Sequence, residues 1–412
     1  MKILIVSDCH LPIPAVLGGA VPSLIDSIIQ ENEAEQKLDI DVVSVFNSKA
    51  KERSNRLSHT NIIYINHGGF EVTLDKGVQF LIEKVKPSRK GHKLEAVWKY
   101  KVINYLRNIL KNNDYDAVVI ENHGYLTKTF SDKRLLEKYK GKLYYHLHNE
   151  LPDSVNEAFG KCCRFILISN YLSKRIVDRY GEEARSRISI LKNGIHVESY
   201  KQVLDSGARY ELRHEMGFSD DDRVVCFVGR ITAAKGIMVL LQALEKIDDT
   251  SIKLMIVGST EFGNNVVSEF ENKVHTICNE LGNRVKATGY VSHEDVWKYY
   301  QAADVAVLPS MWEEPAGLTV LEAMASRVPV ITTDAGGIPE YIGEKHGLII
   351  KRTNEISGDL TDAIRMVFDN LDDWNERAVK DANYVTSCYS ENLYYKNFCE
   401  ILLEDRVRIY KE

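Results

Sequence analysis

No apolar run in this sequence approaches the roughly 20 residues that a membrane-spanning helix needs. That excludes a helical integral membrane protein. The opening apolar run, Ile3 to Val6, is too short for a signal-peptide core and leads straight into Ser7, Asp8 and His10. A cytoplasmic protein is therefore expected, with the inner face of the membrane as a second location. The seven cysteines are odd in number, scattered and without a C-x-x-C pair. Neither a disulfide framework nor a cysteine zinc site fits them, and they read as reduced, mostly core residues. Histidines such as His59, His67 and His92 lack ligand-like spacing, so no structural metal is expected. Strong net charge is missing too: at −6 the chain gives no global reason to bind nucleic acid. Repeats of solenoid period, low-complexity tracts and the G-x-G-x-x-G dinucleotide fingerprint are all absent.

What is present belongs to a soluble globular protein, with 44% hydrophobic and 27% charged residues. At 412 residues the chain is too long for one ordinary core, and two domains are expected. Apolar runs of the kind a parallel sheet buries on both faces recur at residues 2–8, 39–46, 61–66, 114–124, 142–152 and 164–170. Asn193-Gly194 is a turn signal, and a polar helical stretch follows it. The strand rhythm then restarts at residues 223–229, 253–259, 284–291, 305–308 and 328–332. Alternating strands and helices predict two doubly wound, Rossmann-like α/β domains, placed at 1–198 and 199–389. From Ser357 on only helices remain, and the last, about 390–412, is expected to return to the first domain.

The second domain holds the densest group of candidate residues, between Asp304 and Glu340. A buried strand, a turn carrying Glu314, a helix from about Ala316 and a second strand form a βαβ unit closed by Gly336-Gly337. Gly317 leaves the first backbone N–H groups of the helix open to an anion. Glu322 lies in a helix that is apolar nearly all round, so it is expected to be buried and to need a partner or ligand. Upstream, Arg230 closes one strand and Lys235-Gly236 opens the next helix. A planar donor fork and a mobile point charge flanking one loop suit a diphosphate. In the first domain, Gly18-Gly19 separates strand from helix, where backbone can approach a ligand. Alternation puts His146 and His148 on one side of a strand at its carboxyl end, where open α/β sheets bind ligands.

Two further features carry weaker signals. Residues 84–111 contain nine Lys or Arg and one acid, Glu95. Their second half, about 94–110, has helical periodicity, so the basic helix either packs on its sheet or makes peripheral contact with an anionic membrane. Asp39-Ile40-Asp41 matches the D-x-D pattern of metal-dependent sugar transferases of another fold, but acidic residues at strand starts are common.

Together these motifs resemble the retaining, nucleotide-sugar-dependent glycosyltransferases of the GT-B fold, specifically glycosyltransferase family 4. The resemblance spans nearly the whole chain: Gly18-Gly19, a mid-domain histidine, KNGIH, GR…KG, GYV, EEPAGLTVLEAMA and DAGGIPE. The E-x7-E spacing from Glu314 to Glu322 is its most specific element. The resemblance implies two domains facing across a cleft, and retaining transfer of a sugar from a nucleotide-diphosphate sugar, UDP-linked, to a hydroxyl acceptor. It implies no metal cofactor. Arg230 and Lys235 resemble the residues that neutralise the donor diphosphate, and Glu322 the one that binds the ribose hydroxyls. Glu314 is similar to the glutamate near the donor sugar, and Ala316, Gly317 and Leu318 to the backbone that holds phosphate or sugar. Val291 matches the residue whose backbone reads the base. Gly18 and Gly19 resemble the loop that approaches the donor from the other domain, and His148 the active-site histidine, with His146 as the competing match. Ala316 stands where many members have Phe, and HLHN departs from the commoner His-Asp or His-Thr forms. The implied setting is cell-surface polysaccharide, glycolipid or glycoprotein synthesis. The alternatives are an epimerase or phosphorylase of the same fold, a glycoside hydrolase built on Glu314 and Glu322, and a non-catalytic membrane-associated subunit.

Overall fold

The computed structural model describes residues 1–7, 9–68, 73–75, 95–259, 269–343 and 345–409. The basic residues 84–94 lie outside them. Contacts divide the chain into two compact units, one of Met1–Leu191 with the chain from Tyr394 on, the other of Lys192–Leu393.

In the first unit the strands are β1 (Lys2–Val6), β2 (Asp39–Val45), β3 (Thr60–Ile65), β4 (Ala117–Glu121), β5 (Leu143–Leu147), β6 (Arg164–Leu167) and β7 (Ile188–Ile190). They pair in parallel in the order β3-β2-β1-β4-β5-β6-β7. Runs such as Ile3 to Val6 are fully buried, as a sheet covered by helices on both faces requires. The helix Glu391–Ile409 returns to this unit. Its Tyr394, Tyr395, Phe398 and Leu402 share a core with Ile3, Ile28 and Leu38. A polar latch fixes it. Tyr395 donates to the buried Asn32 side chain at 2.7 Å, and the Asn32 amide spans both backbone groups of Leu38 at 2.9 and 3.0 Å. One buried amide thus ties the helix Ala20–Glu35, the start of β2 and the C-terminal helix together, with no polar atom left over.

The second unit contains β8 (Arg223–Val228), β9 (Ile252–Val257), β10 (Val285–Gly289), β11 (Val305–Leu308), β12 (Val330–Thr333) and β13 (Leu348–Ile350). Their order is β10-β9-β8-β11-β12-β13, again parallel. The helix Ile237–Glu245 buries Leu240, Leu241 and Leu244 against Leu360, Ile364 and Val367 of the helix Ile356–Asp369. Each sheet changes its winding direction once, between β1 and β4 and between β8 and β11. Open α/β sheets bind ligands at such switch points, outside the carboxyl ends of the strands. Among the described residues no helix is long and apolar enough to cross a membrane.

Candidate active site

At the switch point of the second unit, the loops that follow β8 and β11 lock together. Gly236 sits so close that a Cβ on it would fall 1.9 Å from the Pro309 carbonyl oxygen. The Met311 N–H donates to the Ala234 carbonyl at 2.8 Å. This contact brings Lys235 Nζ to 2.5 Å from Glu314 Oε1, which also accepts from Ser310 Oγ at 3.2 Å. The side chains keep 23% and 12% of their exposure. A charge this far out of water requires its partner. Phe227, Val228, Ser310, Gly317 and Ile338 complete a small recess around the pair.

The helix beyond the recess spans Leu318–Ala325. The sequence predicts its start near Ala316, but Gly317 caps it with φ 78, outside the helical region. A Cβ at Gly317 would stand 2.8 Å from Ile338 Cγ1, so the glycine is needed for both angle and space. Gly336-Gly337 does more than close the βαβ unit. The Gly337 N–H donates to the Glu314 carbonyl at 2.7 Å, and the Gly336 N–H to Glu313 Oε2 at 2.6 Å. Arg352 then holds Glu313 at 2.7 Å and Asp334 at 3.1 Å. The backbone bearing Glu314 is therefore anchored on three sides.

Glu322 is 6% exposed, as its apolar helix requires, and its partner is His293, at 3.0 Å. That bond raises the His293 pKa above the ordinary imidazole value, against a smaller opposing effect of burial. Val291 lies half-buried two residues before His293, in the loop opened by Gly289 at φ 71. The strand expected to run to Val291 ends at Gly289 for that reason. Arg230 is exposed, and its side chain has no ion pair with any described residue. Lys235, Glu314 and Gly317 thus line one recess, with Ala316 and Leu318 on either side of Gly317 in the chain, Glu322 is bonded to His293 outside its lining, and Arg230 makes no ion pair with a described residue.

In the first unit Gly18 and Gly19, at φ 73 and φ 104, lead into the helix Ala20–Glu35. No described residue lies within 4 Å of where a Gly18 Cβ would be. Glu121 ends β4, and strand register sets it directly beside His146 of β5, with His148 one residue past the strand. The carboxylate meets His146 Nδ1 at 3.2 Å and His148 Nε2 at 2.9 Å. Burial alone would push Glu121 up, but the two rings bonded to it pull it down to about 2. Burial, with His146 close by, drives His148 down to about 4. Three such donors within reach of one another have the composition of a cation site.

The residues behind the weaker sequence signals have partners within the protein. Asp41 accepts from Tyr115 at 2.7 Å and Asn61 at 2.8 Å. The basic helix spans Ala96–Asn112 and buries Trp98, Val102 and Leu106. Its cations turn back onto the protein: Lys101 to the Asn66 carbonyl, Arg107 to those of Thr129 and Lys128, and Lys111 to Asp132. All seven cysteines are free.

Residues 209–381 match the sequence model of the family described as Glycosyl transferases group 1. The spore coat protein SA of Bacillus subtilis (strain 168) is 26% identical over 363 residues, 85% of each chain. The lipopolysaccharide 1,2-N-acetylglucosaminetransferase of Salmonella typhimurium (strain LT2) is 29% identical over 244 residues, 58% of this chain and 59% of its own. Over that stretch the chain carries the sequence of the glycosyl transferases group 1 family. The crystal structure of Anabaena HepE in complex with UDP and glucose matches it with a TM-score of 0.70 at 18% identity, covering 98% of this chain and all of the other. This is a nucleotide-sugar glycosyltransferase with the GT-B fold.

Four residues of this glycosyltransferase escaped the sequence reading. Arg352 and Glu121 reach their partners across strands, so no local spacing announces them, and Ser310, four residues before Glu314, also donates to the Ala234 carbonyl 76 residues away at 3.3 Å. His293 stands only two residues beyond GYV, but its partner Glu322 is 29 residues away.

Proposed function

We propose that this glycosyltransferase moves a sugar from a UDP-sugar to a hydroxyl acceptor with retention of configuration, in the building of a cell-surface polysaccharide, glycolipid or glycoprotein. The observation that carries the reading is the Lys235–Glu314 pair, set beside the Gly317 cap at the switch point of a parallel sheet. Lys235 and Arg230 neutralise the diphosphate, and the backbone of Ala316, Gly317 and Leu318 supplies N–H donors from the start of a helix. Glu322 takes the ribose hydroxyls, Val291 faces the base, and Glu314 stands at the sugar. Gly18, Gly19 and His148 of the first unit serve the same reaction.

In that reaction the bond between the anomeric carbon and the phosphate oxygen breaks, and a bond to the acceptor oxygen forms. The acceptor proton passes to the departing phosphate. Fixed cations and helix-start N–H groups favour the step because negative charge grows on the leaving oxygens. A UDP complex of HepE and a relative that transfers N-acetylglucosamine support the choice of UDP and of a hexose-type sugar. The cytoplasm is the compartment where nucleotide sugars would meet this site.

Thermal shift against UDP-, GDP- and ADP-sugars tests the donor class. A rise with UDP-sugars is expected, and a response confined to purine nucleotides overturns the base assignment. Lys235→Ala is expected to lower kcat by about 10²–10³-fold, the usual scale for one lost electrostatic donor. Wild-type turnover in that variant sinks the site.

A further inference from the structure

We propose that Glu121 is the positioning residue of this enzyme: it fixes the tautomers of His146 and His148, so that His148 presents Nδ1 as a hydrogen-bond acceptor for a hydroxyl group of the substrate. The carboxylate is completely buried and has two histidine nitrogens facing it, His148 Nε2 at 2.9 Å from Oε2 and His146 Nδ1 at 3.2 Å from both oxygens. An ionised carboxylate only accepts. Each nitrogen that faces it must therefore carry its hydrogen, which leaves the opposite nitrogen of a neutral ring as a bare lone pair.

Those opposite atoms, His146 Nε2 and His148 Nδ1, are buried, and neither has a hydrogen-bond partner among the described residues. Buried polar atoms without partners are rare, and the one on His148 lies past the carboxyl end of β5, where this class of sheet binds ligands. The rest of His148 is locked: its N–H donates to Asn122 Oδ1 at 3.1 Å, and the ring packs 4.0 Å from that of His146. A neutral ring with a lone pair outward attracts a hydroxyl and repels a phosphate oxygen. The partner that fits is thus a sugar or acceptor hydroxyl, not the diphosphate. His148 stays neutral near pH 7, since burial holds its pKa at about 4.

The role in turnover rests on the assignment of His148 to the transfer reaction, whereas the tautomers do not. The test reads the two apart. Imidazole nitrogen shifts of ¹⁵N-histidine-labelled enzyme are expected to show His146 protonated at Nδ1 and His148 at Nε2. The opposite pattern in either ring overturns the proposal, with no variant needed. So does a stoichiometric divalent cation in the purified enzyme that is lost with Glu121→Gln, because a metal on the three donors would displace both hydrogens. In Glu121→Gln the side-chain amide must donate to one ring and reverse its tautomer. A fall in kcat of about 10- to 100-fold with little change in donor KM is expected, the scale of one lost hydrogen bond in a buried site. Glu121→Asp is expected to recover part of it along with the wild-type tautomers. Unchanged tautomers and kcat in Glu121→Gln overturn the proposal. Unchanged kcat in His148→Ala with the tautomers as expected overturns only the use of His148 in transfer.

Discussion

Lys235 and Glu314 neutralise each other across 2.5 Å, so a diphosphate arriving at the recess must compete with a carboxylate for the same ammonium. That competition makes Glu314 more than a bystander: it holds the Lys235 side chain aimed at the recess before the donor binds. A second pair works by titration. His293 bonds to Glu322, and the Glu294 and Glu391 carboxylates also act on it, so its pKa is raised in the folded protein. A raised histidine pKa stabilises the fold below the ordinary value near 6.5 and loses that effect as pH rises through the folded value. Wild type is therefore expected to melt above His293→Gln at about pH 5.5 and to match it by about pH 9. A gap that widens toward high pH would reverse the sign and refute the pairing. The two glutamates were legible in sequence because E-x7-E and an apolar helix are local facts. His293, Arg352 and Glu121 were not, because what gives them meaning is a partner reached through strand register or a loop.

Elements show the same division. The βαβ unit around Glu314 was readable from its runs of Val, Leu and Ala, but the helix begins two residues later than expected. Sequence marks Gly317 as permissive; only the packed structure shows that Ile338 stands where a side chain would go. Gly317→Ala faces a left-handed φ of 78 and a contact that Ile338 must yield to. The two together are expected to cost about 1–3 kcal/mol in denaturant unfolding. Donor KM should rise as well, since the cap sets where the first N–H groups of the helix point. Wild-type stability in Gly317→Ala would show that the loop relaxes freely and that the glycine is not required. The basic helix Ala96–Asn112 teaches the opposite lesson: its charge pattern was readable, but the backbone carbonyls that occupy Lys101 and Arg107 were not.

At the scale of the whole chain, two units of nearly equal size each close their own core, and the last helix belongs to the first of them. The candidate diphosphate, ribose and base contacts all lie in Lys192–Leu393. A donor held mainly by those contacts stabilises that unit by about 2.7 kcal/mol at 100 times its Kd, and the first unit only through whatever contacts it adds. Hydrogen exchange with and without UDP is therefore expected to slow most in β8, β11 and the helix Leu318–Ala325, and least in β2 and β3, which lie far along their sheet from its switch point. Nucleotide without its sugar is the right probe, because it leaves the hydroxyl contacts assigned to His148 unfilled. Equal slowing in both units would mean that the nucleotide is shared between them, and the donor assignment to the second unit would fall. Slowing confined to the first unit would place the nucleotide at Gly18-Gly19 and leave Lys235 and Glu314 as a structural pair.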